Sequence, residues 1–113
     1  DSLLRRPVMP PHCVHNAHMY YLLLPDLAAR TGFIERLRQV GVQAVFHYVP
    51  LHGAAFCHKA ARAHGDMART KALSDRLVRL PLWLGLELQQ HEVIHAVLSA
   101  LAANAGGPDS RAT

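Results

Sequence analysis

The chain has 113 residues, half of them apolar, which is enough to bury one modest core. Its formal net charge of +4 comes from ten arginines and two lysines against eight acids, and Arg5-Arg6 is the one basic doublet. That dispersed charge, without interleaved aromatics, excludes a typical nucleic-acid surface. No apolar run approaches the roughly 20 residues of a membrane helix, and no charged-then-apolar leader follows Asp1. These features lead us to expect a soluble, cytoplasmic fragment that contacts neither nucleic acid nor membrane.

In chain order, residues 1–15 carry Pro7, Pro10 and Pro11 and are expected to run extended, as a linker. Residues 18–24 are almost continuously apolar or aromatic and are stopped by Pro25, which predicts a buried strand. Thr31 is the expected N-cap of a helix in which Phe33, Ile34, Leu37 and Val40 recur at helical spacing, with Gly41 as its C-terminal stop. Residues 42–49 return as a second strand ended by Pro50. Two short helical pieces flanking a Gly65-Asp66 turn should fill residues 54–77. A short strand follows over residues 78–82, placed at an edge because Pro81 cannot donate to a ladder. Residues 89–103 form a last helix with Val93, Ile94, Val97, Leu98 and Leu101 on one side, and residues 104–113 read as a disordered tail. Cys13 and Cys57 are expected as buried thiols rather than a bridge.

Three phrases stand apart: Asn16-Ala17-His18-Met19-Tyr20, Phe46-His47-Tyr48-Val49-Pro50-Leu51-His52, and Arg79-Leu80-Pro81-Leu82-Trp83. The second ends a strand in a turn with two imidazoles and a phenol, a common setting for a site. If the strand runs through His47 and Tyr48, the two point to opposite faces, and only a bend at Pro50 brings both to one ligand. The plain alternative is structural, with His47 satisfying a buried hydrogen bond and Tyr48 packing with its hydroxyl at the rim. The first and third phrases read as structural, with leucines entering the core and Trp83 covering an edge.

Taken together, in this order and spacing, the three phrases resemble the C-terminal small domain of the DegT-type sugar aminotransferases, across about residues 1–103. The resemblance is strongest to members that aminate dTDP-linked 4-keto-6-deoxy sugars at C4 for surface polysaccharides. It implies an α/β class, an α+β small domain with a short mixed sheet packed by helices, as in the aspartate-aminotransferase type of fold. Residues 16–103 would form that domain, and residues 1–15 would connect it to a large domain. It further implies a homodimeric parent enzyme that uses pyridoxal phosphate, glutamate and a nucleotide sugar.

By the same resemblance the turn faces the active-site cleft, which makes Tyr48 the first candidate for substrate binding, His47 the second and His52 the third. The family's Schiff-base lysine follows a Ser-x-His motif in the large domain. Neither Lys59 nor Lys71 has that context, so no catalytic residue is assigned and the chain alone is expected to be inactive. Relatives commonly show a Pro and a Gly after the position of His52, where this chain has Gly53-Ala54-Ala55-Phe56-Cys57-His58, so His58 and Lys59 are not taken as contacts.

Two readings from other classes stand beside this one. One is a non-catalytic remnant or interaction module that keeps the small-domain fold. The other is a zinc hydrolase, because His91-Glu92-Val93-Ile94-His95 matches H-E-x-x-H, a helical motif for two zinc-bound imidazoles and a general base. It lacks a third ligand, since no His or Glu follows His95 and Asp109 falls in the expected tail. No metal site is assigned.

Overall fold

In a computed structural model, which describes residues 4–105, strand β1 (Tyr20–Leu23) leads into helix α1 (Leu27–Gln39) and then into the two-residue strand β2 (Val45–Phe46). Two further helices, α2 (Cys57–Ala60) and α3 (Ala68–Arg76), precede strand β3 (Leu77–Leu80) and the long helix α4 (Gln90–Ala105). Most of the expected tail, residues 106–113, lies outside the described residues.

The sheet has the order β1-β3-β2, and both pairings are antiparallel. The α+β class is as expected, but the sheet is antiparallel throughout rather than mixed. β1 and β2 run the same way along the sheet, yet α1 carries the chain past a vacant lane between them. β3 enters that lane from the opposite direction, as in a split β-α-β arrangement. The expected edge position of this last strand is therefore corrected to the centre. Leu22 pairs with Val78, and Val78 pairs in turn with Phe46. Pro81 falls one residue beyond β3, where its missing N–H removes no ladder bond. Outside β1, Arg5 exchanges both backbone hydrogen bonds with Leu23, at 3.0 and 2.9 Å, so the proline-rich first segment is anchored to the sheet.

The start of α1 also differs from expectation. Asp26, not Thr31, caps it: the Asp26 Oδ1 accepts from Ala29 N at 2.8 Å. Thr31 lies inside the helix and donates its hydroxyl to Leu27 O at 2.8 Å, the usual recourse of a mid-helix threonine. The C-terminus stops at Gly41 as its sequence position predicts. Gly41 has φ +78°, Gly41 N donates to Arg38 O at 3.1 Å, and Val42 N donates to Leu37 O at 2.9 Å. These two bonds define a Schellman motif, and Val42 closes it by joining the core beside Leu37.

One face of the sheet packs under α1, and α4 packs on α1. Phe33 and Leu37 of α1 are fully buried against Leu22, Leu24 and Val78, with Val97 and Ala100 of α4 completing the cluster. Each of the Phe, Leu and Val side chains among them contributes about 1.5–3 kcal/mol by leaving water. α3 is tied on by two backbone-directed arginines: Arg76 Nε donates to Leu24 O at 2.6 Å, and Arg30 Nη1 donates to Ser74 O at 2.9 Å. Both cysteines are free, but Cys13 is exposed and Cys57 half-buried, so the expectation of buried thiols fails for a chain whose core lies in α1, α4 and the sheet.

Candidate functional site: the turn after β2

β2 ends at Phe46, so the strand does not run through His47 and Tyr48 and the opposite-face geometry does not apply. Instead the two rings lie together, with centroids 4.9 Å apart and planes tilted by 60°. His47 is half-buried and its Nδ1 is enclosed without a hydrogen-bond partner, whereas Tyr48 is 73% exposed. A phenol that open is not held by the core. Its position comes from three contacts: the His47 ring, the Arg79 guanidinium 5.5 Å from the Tyr48 centroid, and a 3.4 Å hydrogen bond from Ser74 Oγ to the Tyr48 carbonyl. The Arg30 guanidinium sits in the same way over Phe46, at 5.4 Å. A cation over an aromatic face is worth about 0.5–1 kcal/mol at an exposed position.

Pro50, at φ −57° and ψ 137°, then turns the chain into a single 3-10 turn over Leu51–Gly53. This carries His52 away into another hollow of about 340 Å³, lined also by Leu51, Cys57, His58 and Met67. Of the three residues predicted from sequence, His47 and Tyr48 are thus brought together, and His52 borders a separate space.

Sequence reasoning took Arg79 as part of a structural phrase and overlooked its place beside Tyr48. The alternation of β3 signals its face, though not the contact with Tyr48. Val78 is fully buried and Leu80 packs on the core, so Arg79 between them must project from the opposite face. Its backbone partners, Tyr21 and Val45, share that face. Ser74 could not be anticipated, because its contact spans 26 residues.

The H-E-x-x-H residues sit on the first turns of α4, where His91, Glu92 and His95 are all exposed. They border an open groove of about 1260 Å³ between the end of α1, residues 81–83 and α4. Among the described residues no group of three or more His, Cys, Asp or Glu side chains is poised to hold a metal ion. Lys71 is paired with Asp75 at 2.6 Å on the open face of α3, and Lys59 is exposed on the four-residue α2. Neither amine is enclosed by the described residues. No described helix is long and apolar enough to cross a membrane.

Residues 3–98 match the model of the DegT/DnrJ/EryC1/StrS aminotransferase family. Among solved structures, the chain is similar to the aminotransferase TlmJ from Streptoalloteichus hindustanus, with a TM-score of 0.78 and 26% sequence identity. That match covers 93% of this chain and 28% of the TlmJ chain.

Proposed function

This chain belongs to the DegT/DnrJ/EryC1/StrS aminotransferase family, and from that premise we propose that it is the small domain of a nucleotide-sugar aminotransferase. In this reading the parent protein transfers an amino group from glutamate to the C4 ketone of a dTDP-linked 4-keto-6-deoxy sugar, for a surface polysaccharide. It works in the cytoplasm as a homodimer and uses pyridoxal phosphate, which supplies the electron sink for amino transfer. The family match over residues 3–98 carries the reading. The short share of TlmJ that the chain spans supports locating the cofactor's lysine in a large domain, and neither Lys59 nor Lys71 follows a Ser-x-His motif.

The chain's own part is to orient the sugar substrate. Tyr48 presents its hydroxyl from a ring that rests against Arg79 and His47, contacts that favour this position and lower the ordering cost when a ligand binds. His47 borders the same place. His52, in a separate hollow, is the weakest of the three proposed contacts.

The test uses Tyr48→Phe in the full-length enzyme. The substitution keeps the ring and its stacking and removes only the hydroxyl. Loss of a neutral hydrogen bond should slow the sugar half-reaction by about 0.5–1.5 kcal/mol, roughly 2- to 13-fold, and leave the glutamate half-reaction unchanged. Stopped-flow measurement of each half-reaction separates the two. Equal losses in both, or none in either, remove Tyr48 from the site. The 113-residue chain by itself should show no glutamate-dependent amination.

A further inference from the structure

On the sheet face turned away from α1, between the start of β1 and the end of β3, lies a hollow of about 300 Å³ bordered by His18, Gln43, Val45, Arg79 and Pro81. None of its lining residues is acidic. Arg79 forms no ion pair among the described residues, and its Nε is enclosed without an acceptor. The Nε is closed off from the hollow, but Arg79 lines it, and the planar fork of N–H groups of a guanidinium matches the oxygens of a phosphate. The same guanidinium lies over the Tyr48 ring, so the hollow and the exposed phenol meet at one side chain. The size is at the low end for a ligand pocket, which suits an anionic group rather than a whole nucleotide sugar.

We propose that Arg79 is the oxyanion contact of this domain, holding a phosphate group of the ligand in the hollow with His18 and Gln43 while its flat face positions Tyr48. The identity of that ligand as a nucleotide sugar rests on the function proposed above; the affinity for phosphate oxygens does not. His18 is already oriented, with its Nδ1 and the Asn16 Oδ1 2.6 Å apart. Gln43 is exposed and free to turn its amide inward. Central placement in β3, paired on both sides, keeps the Arg79 backbone from moving when the ligand enters.

Calorimetric titration of the full-length protein with inorganic pyrophosphate tests this at two salt concentrations. Wild type should bind, more weakly at high salt. Arg79→Met should weaken binding by about 10-fold or more and flatten the salt dependence, and Arg79→Lys should restore part of both, because it returns the charge without the fork. Gln43→Glu is the independent variant: an exposed residue that places a carboxylate in the hollow without touching the core, it should abolish pyrophosphate binding. Glutarate, a dicarboxylate without an amine, should not compete. Absent binding by wild type overturns the proposal, as do unchanged affinity in Arg79→Met and Gln43→Glu or competition by glutarate. The titration needs neither cofactor nor amino donor, so failure here leaves the transaminase reading standing, and failure of that reading leaves the titration valid.

Discussion

Replacing Gly41 by alanine probes the joint on which the placement of the site depends. Gly41 has φ +78°, and a Cβ added there meets nothing within 4 Å. The cost is therefore purely one of backbone conformation, about 1–2 kcal/mol for an L side chain held in the left-handed region. Gly41→Asn should cost less, because asparagine tolerates that region better. Gly53 supplies the control: it too has nothing within 4 Å of an added Cβ, but its φ is not positive, so Gly53→Ala should stay within about 0.5 kcal/mol. Urea denaturation of the 113-residue chain measures all three, with an unchanged slope showing that the denatured state is not what moved. The joint also matters beyond stability. Gly41 ends α1 so that Val42 reaches Leu37, and the chain then runs straight into β2 and the His47-Tyr48 turn. Gly41→Ala at wild-type stability, or a loss in Gly53→Ala equal to that in Gly41→Ala, would refute the assignment of the cost to backbone handedness.

Phe33→Ala removes the largest side chain of the core, at 0% exposure, and should destabilise the chain by about 3–5 kcal/mol, measured by the same denaturation. Replacing His91 and His95 together by glutamine should shift stability by no more than about 0.5 kcal/mol and leave the activity of the parent enzyme nearly intact, since both are exposed; stoichiometric zinc in wild type that is lost in the variant would restore the metal reading. The hydrogen bond from Arg38, reinforced by its charge, holds the Glu35 carboxyl below the ordinary carboxylate range. Its small contribution to stability is present above that ordinary range and fades as pH falls through the lowered folded value. Carbon-detected NMR titration should show the Glu35 midpoint rising in Arg38→Gln, and an unmoved midpoint would refute the pairing.

The sequence by itself determined the elements whose signals are local. An apolar run before Pro25, helical spacing from Phe33 to Leu37 and a glycine after Val40 are read by the backbone within a few residues, and β1, the body of α1 and its Schellman stop follow. Local competition explains the early start of α1: Asp26 and Thr31 both suit an N-cap, and the carboxylate immediately after Pro25 took the position. Only the tertiary structure decided where β3 lies, because the lane between β1 and β2 exists only after α1 has crossed over the sheet. A proline that reads as an edge signal then falls harmlessly past the strand end. The same holds for the site. The run His47 to His52 marked the turn, but the early end of β2 put the His47 and Tyr48 rings in contact, and Pro50 sent His52 elsewhere. Arg79 and Ser74 meet Tyr48 from 31 and 26 residues away, through strand pairing and helix docking that no local pattern encodes. Such contacts are fixed by which faces the core leaves open, and that is settled only when the whole chain has packed.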